Sequence, residues 1–129
     1  SYYSKGAQAA IIAYDITDRK TFDCINSYIG YVKESGKQCF LIIAGTKADL
    51  VRKKPSLRQV KVEEILRLAE KYGAAHFETS AKENTNVSEL FDCIGHQFFT
   101  LKTAKTDNDM EAVKSYNEES SPVCNCRIQ

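Results

Sequence analysis

Gly45-Thr46-Lys47-Ala48-Asp49-Leu50 follows the apolar run Cys39-Phe40-Leu41-Ile42-Ile43-Ala44, and Glu78-Thr79-Ser80-Ala81-Lys82 follows a shorter apolar run at residues 74–77. Each polar stretch thus comes directly after a segment apolar enough to be a buried strand. A lysine stem can cover one face of a flat heterocycle. A carboxylate two residues later can accept two N–H groups from the edge of the same ring. Taken alone, Gly45 to Leu50 reads equally as a solvated strand-to-helix turn.

The surrounding elements decide between these readings. Residues 7–14 form a nearly continuous apolar run ending at Asp15, which predicts a strand buried on both faces, as in parallel sheets. Asp18 suits an N-cap, and Phe22, Ile25, Ile29 and Val32 recur at helical spacing, with Gly36 as the stop. A second strand covers residues 39–44. The loop after it, residues 51–58, carries Arg52, Lys53, Lys54 and Arg58, and Pro55 argues against helix there. Such a charge run is most often a solvated surface. A second helix spans Val62–Tyr72 and stops at Gly73, with Lys61 a poor cap. A third strand follows at residues 74–77. Asn86 with Glu89 predicts the cap of a third helix, whose core stripe is Val87, Leu90, Phe91, Ile94, Phe98 and Leu101.

Strand and helix therefore alternate three times, giving an α/β chain with three parallel strands. In such a sheet all strand carboxyl ends share one rim, the place where open α/β sheets bind ligands. That rim collects Asp15 and Thr17, then Thr46, Lys47 and Asp49, then Thr79, Ser80, Ala81 and Lys82. A base can lie between the two lysine stems, with Asp49 on its edge and the Ala81 N–H near a ring carbonyl. Guanine fits best, because it presents two adjacent N–H donors to a carboxylate.

Composition narrows the class. The chain has 129 residues, 43% hydrophobic and 27% charged, with a net charge of +1. This is one domain with a tail, and no overall field points to nucleic acid. No apolar run approaches the roughly 20 residues needed to cross a bilayer, and no signal peptide is visible. Of five cysteines, Cys24, Cys39 and Cys93 fall within apolar patterns, where a reduced thiol is expected, and the odd count argues against a secreted disulfide framework. A cytoplasmic protein is expected. Beyond residue 101 the pattern dissolves into Lys, Asp, Asn, Glu and Ser, which predicts a disordered tail over 102–129.

Thr-Lys-Ala-Asp followed, after one helix, by Glu-Thr-Ser-Ala-Lys resembles the paired base-recognition motifs of Ras-superfamily GTPases. Tyr2-Tyr3-x-x-Gly6-Ala7 and Tyr14-Asp15-Ile16-Thr17 narrow the resemblance to the Rab branch, over about residues 1–101. It implies a P-loop NTPase-like fold and a guanine site made by Thr46, Lys47, Asp49, Ser80, Ala81 and Lys82. Most Rabs have Asn at the place of Thr46, whereas Thr occurs there in Rho proteins and in at least one Rab lineage. For a full-length protein the resemblance implies GTP or GDP with Mg²⁺, and a switch role in vesicle traffic. It also implies effectors, an exchange factor and escort or GDI proteins as partners. Cys126-Arg127-Ile128-Gln129 has the C-a-a-X form, so Cys126 is the expected prenylation site. Residues 102–123 hold three Lys against five acidic residues. One lipid on such a tail holds weakly, which makes Cys124 the expected second acceptor. The membrane would then be met from its cytoplasmic face.

Other family features have no counterpart in these 129 residues. None of the six glycines forms a G-x-x-x-x-G-K-[ST] phosphate loop. Asp92-Cys93-Ile94-Gly95 matches D-x-x-G only formally, mid-helix. The start at Ser1-Tyr2-Tyr3, with Met110 the only methionine, predicts the carboxyl-terminal portion of a longer protein. Weak or absent nucleotide binding and no GTP hydrolysis are the expectation for the isolated chain. The alternative is a genuine short protein, a non-catalytic module that engages membrane or partners through its edge strand or tail.

Overall fold

The computed structural model describes residues 6–34 and 38–106. Gly36, Tyr2, Tyr3, the tail beyond residue 106 and both tail cysteines lie outside them. Three parallel strands stand in the order β1 (Ala9–Asp15), β2 (Phe40–Thr46), β3 (Ala75–Glu78). Between them run α1 (Arg19–Asp23), α2 (Ile25–Lys33), α3 (Ala48–Lys53) and α4 (Val62–Tyr72), and α5 (Val87–Thr106) follows β3. This is the α/β alternation expected.

The strand pleat divides the apolar residues between two layers. Ile12, Tyr14, Leu41 and Ile43 face one side, where Phe22, Ile25, Ile29, Ile65 and Ala69 close a core. Ile42, Ala44, Ala75 and Phe77 face the other, where Leu90 and Cys93 of α5 cover them. Burial of each full-length aliphatic side chain stabilises the fold by about 1.5–3 kcal/mol. The second layer stops short of β1: Ile11 is 41% exposed and Ala13 is also exposed. The strand is therefore buried on one face only, because among the described residues α5 is the one helix on that side and it covers β2 and β3. On α5 itself, Phe91 is 59% and Phe99 71% exposed, so Phe91 leaves the expected stripe and Cys93 joins it. The side chain of Leu101 is not among those described. Asp92 and Gly95 are helix surface, as read from the sequence.

Four local features depart from the sequence reading. The first helix is in two pieces broken at Cys24. Asp18 caps the first piece by accepting the Lys20 N–H, and Thr21 ties it to the end of β1 by accepting the Asp15 N–H. The second piece docks separately through Ile25 and Ile29. Residues 48–53 are helical, and Pro55 opens only a 3₁₀ turn, Pro55–Leu57. At Lys61 the cap comes from Glu64, which accepts the Lys61 N–H. Asn86 is no ordinary cap: it sits at φ 57° and donates its amide to the Glu78 carbonyl. Cys24 and Cys39 are free thiols.

Tyr14 crosses over Gly45 to reach His76, and its hydroxyl is hydrogen-bonded to His76 Nε2 at 3.1 Å. A Cβ on Gly45 would lie 2.6 Å from the Tyr14 hydroxyl oxygen and 2.9 Å from its ring carbon. Gly45→Ala is therefore expected to lose about 1–3 kcal/mol of stability through overpacking. An unchanged denaturant midpoint would show that Tyr14 moves aside freely. His76 is 1% exposed, and among the described residues its Nδ1 has no hydrogen-bond partner. Burial pushes its pKa down to about 4, with the Glu78 charge opposing and Arg58 adding. An unfolded chain binds a proton on this ring below its ordinary pKa near 6.5, while the folded one refuses it until about pH 4. Stability is thus full above that ordinary pKa and falls as pH drops through the window, by on the order of 3 kcal/mol at most. Urea unfolding across this window should show the slope, and His76→Gln should flatten it.

Candidate functional site

Register brings the three strand ends together. Asp15 pairs with Thr46 across β1 and β2, and Gly45 with Glu78 across β2 and β3. Beyond the sheet the second and third loops are stitched to each other. The Gly45 carbonyl accepts both the Thr79 N–H at 2.6 Å and the Thr79 hydroxyl at 3.1 Å, and the Ala48 N–H donates to the Thr79 carbonyl at 3.0 Å. Thr46 ties the first loop in, donating its hydroxyl to the Tyr14 carbonyl at 2.9 Å.

At Lys47 the chain turns sharply from β2 into α3 with φ 64° and ψ 33°. A left-handed conformation at a residue other than glycine costs on the order of 1 kcal/mol. Here the Ala48–Thr79 bond on one side and the Lys47–Asp15 ion pair on the other, Nζ to Oδ2 at 2.6 Å, keep it in place. The turn sends the Lys47 stem across the rim and starts α3 with Asp49 in its first turn.

Thr46, Lys47, Asp49, Leu50, Thr79, Ala81, Lys82 and Val87 line one cavity of about 440 Å³. Of the six residues singled out from the sequence, Thr46, Lys47, Asp49, Ala81 and Lys82 line it directly. Ser80 does not. It is 1% exposed and lies beneath, donating its hydroxyl to Asp49 Oδ1 at 2.8 Å while accepting the Glu83 N–H at 3.1 Å. Asp49 is itself 4% exposed. The Ser80 hydrogen bond holds its carboxyl below the usual carboxylate range against the opposing effect of burial, with Lys82 and Lys53 adding attraction. At neutral pH the cavity thus presents an oriented, ionised carboxylate between two lysines, with Leu50 and Val87 supplying apolar wall. Such a set can grip a flat ring bearing edge N–H donors.

Several contributors were missed or under-read from sequence. Asp15 lies against Lys47 because of strand register, a signal that equal strand lengths could have supplied. Arg58, placed in a solvated charge run, instead clamps Glu78 with two hydrogen bonds, 2.7 and 2.9 Å, and the Glu78 side chain is 5% exposed. Arg52 of the same run pairs with Glu83. The basic loop is thereby fastened to the chain on both sides of the Thr79–Lys82 segment. Among the described residues no cluster of three or more His, Cys, Asp or Glu could hold a metal, and no helix is long and apolar enough to cross a membrane.

Comparison with known proteins matches residues 1–100 to the Ras family. Ras-related protein Rab-19 of Rattus norvegicus is 38% identical over 125 residues, which are 95% of this chain and 55% of that protein. Ras-related protein Rab-31 of the same species is 36% identical over 107 residues, 82% of this chain and 53% of that protein. Ras-related protein Rab-13 of Canis lupus familiaris is 38% identical over 93 residues, 71% of this chain and 44% of that protein. The chain spans about half the length of the curated relatives it matches.

The Arg58–Glu78 pair permits a direct check of how the rim is held. Removing one partner of a largely buried pair strands the other charge, which typically costs about 3 kcal/mol. Arg58→Ala should therefore destabilise the protein by that order, and Arg58→Met with Glu78→Leu together by clearly less. Equal losses in a denaturation series would mean that the pair contributes only packing.

Proposed function

This chain belongs to the Ras family, with Rab proteins among its relatives, and we propose from that premise that its rim cavity recognises the guanine base of a nucleotide. One observation carries the reading: residues from two separate loops, Thr46-Lys47-x-Asp49 and Ala81-Lys82, line a single cavity around a carboxylate that Ser80 orients. Asp49 accepts the two N–H groups on the guanine edge, the Lys47 and Lys82 stems cover its faces, and the Ala81 N–H stands for the ring carbonyl. Thr46 serves by holding β2 to β1 through the Tyr14 carbonyl. Ser80 is a positioning residue for Asp49.

The proposed domain organisation assigns residues 1–101 to the carboxyl-terminal part of a Rab-type GTPase domain and 102–129 to a variable tail. The proposed full-length activity is GTP binding and hydrolysis as a switch in vesicle traffic, with effectors, an exchange factor and escort or GDI proteins as partners. Prenylation at Cys126, with Cys124 as second acceptor, would place it peripherally on the cytoplasmic face of endomembranes. The residues described here fit the base. No motif among the 129 residues matches a phosphate loop, so the triphosphate and Mg²⁺ are assigned no residue and no step.

Base selectivity tests the proposal. In titrations of the full chain followed by NMR, guanosine is expected to bind at least about tenfold more tightly than adenosine, the size that a charge-assisted pair of hydrogen bonds supports. Asp49→Ala should erase that preference while circular dichroism still reports the fold. A variant that keeps the preference would remove Asp49 from base reading.

A further inference from the structure

Helix α3 grips the second loop of the rim at two places. Asp49, in its first turn, accepts the Ser80 hydroxyl at 2.8 Å, and Arg52, in its last, pairs with Glu83. Residues three apart on a helix lie on one face, so both grips point the same way. The loop answers with the same spacing, since Ser80 and Glu83 are also three apart. Ala81 and Lys82 lie between these anchors, and both line the cavity.

One anchor makes a hinge, and a second anchor fixes the angle. The loop is closed on itself as a unit. The Glu83 N–H donates to Ser80 Oγ at 3.1 Å, Asn84 turns the chain back at φ 52°, and Ser80 and Thr85 exchange two backbone hydrogen bonds. Bound through Ser80 alone, this unit can swivel about the Asp49 hydrogen bond. Such a swivel leaves the Asp49–Ser80 contact intact but changes where the Ala81 N–H points. Tethering Glu83 to Arg52 removes that freedom. Arg58 cannot take its place, because it holds the chain at Glu78, ahead of the swivel.

We propose that Arg52 and Glu83 are positioning residues, a latch that aims the Ala81 N–H at the ring carbonyl of the base and so sets selectivity for an oxo group there. The inference rests on the guanine reading given above and divides it into two tasks. Asp49, oriented by Ser80, reads the two edge N–H groups, while the latch governs the reading of the carbonyl beside them.

Three nucleosides separate the tasks in NMR titrations of the full chain at neutral pH. Inosine lacks one edge N–H of guanosine and keeps the carbonyl. 6-Thioguanosine keeps both edge N–H groups and carries sulfur, a weaker acceptor, in place of the oxygen. Adenosine is the outgroup. Glu83→Ala keeps the N–H that Ser80 accepts and removes only the tether. It should lower the preference for guanosine over 6-thioguanosine by about threefold to fivefold, the order an exposed ion pair supports, and leave that over inosine unmoved. Arg52→Ala should do the same, and the exchanged pair Arg52→Glu with Glu83→Arg should restore the preference. In the free chain, hydrogen exchange at the Thr85 amide should quicken in both single variants. An unmoved guanosine to 6-thioguanosine ratio overturns the proposal while leaving the guanine reading intact if adenosine is still rejected. A fall in both ratios together overturns it too, since the loop would then act through Asp49. Failure of the exchanged pair to restore the preference also overturns it, because the two residues would not act on each other. A wild-type chain that does not separate guanosine from adenosine sinks the guanine reading and this inference with it.

Discussion

The Gly45 carbonyl accepts two hydrogen bonds from one residue, the Thr79 N–H and its hydroxyl, and the rest of the rim depends on that double attachment. Gly45 ends the buried part of β2 and Thr79 is the first residue past β3, so the bonds carry the sheet's hydrogen-bond order one step beyond the sheet. Everything that follows on each loop inherits its position from there. Lys47 and Asp49 lie two and four residues past Gly45, and Ala81 and Lys82 lie two and three past Thr79. Glycine is required at the first of these places by space alone, since the Tyr14 ring passes over it on the way to His76. One backbone position thereby joins the core, where Tyr14 and His76 are both almost fully buried, to the cavity, where the chemistry lies.

Much of the fold was legible because it follows from strand and helix periods. The three apolar runs become the three strands, and the helix at Val62–Tyr72 ends where Gly73 takes up φ 60°. What was misread depends on partners far along the chain. Residues 7–14 look buried on both faces because Ile11 and Ala13 are apolar, yet burial needs a helix over them, and α5 stops at β2 and β3. Asn86 has the spacing of a capping box, but its amide is taken by the Glu78 carbonyl eight residues earlier. Pro55 does exclude α-helix at its own place, though the five residues after Ala48 had no such bar and extend α3 to Lys53.

For the cavity, residue type and strand-end position were enough to bring five of six named residues onto one surface. Ser80 escaped the same logic because alternation along the loop turns it inward. Its contribution passes through Asp49, and only a distance could reveal that. Arg58 is the opposite case. Within a run of four basic residues nothing in the sequence separates the one that clamps a buried glutamate from those that face water. Pairing over twenty residues, from Arg58 to Glu78, is a property of the packed chain.

The clamps also explain why the rim can be rigid while its second loop is short and polar. From Thr79 to Asn86 the described chain has little apolar side chain to bury, and hydrophobic packing alone would leave it mobile. Instead Ser80 and Thr85 exchange two backbone hydrogen bonds, 3.1 and 2.9 Å, which close the loop on itself. Arg52 holds it from outside at Glu83, and Arg58 holds its root at Glu78. The exposed Arg52–Glu83 pair contributes little to stability by itself, whereas the Arg58–Glu78 pair is largely buried. Together they restrict the few angles through which Ala81 and Lys82 could leave the cavity wall. The ordering entropy is then spent during folding rather than at ligand encounter, which is the condition under which a small polar loop can recognise a flat ring.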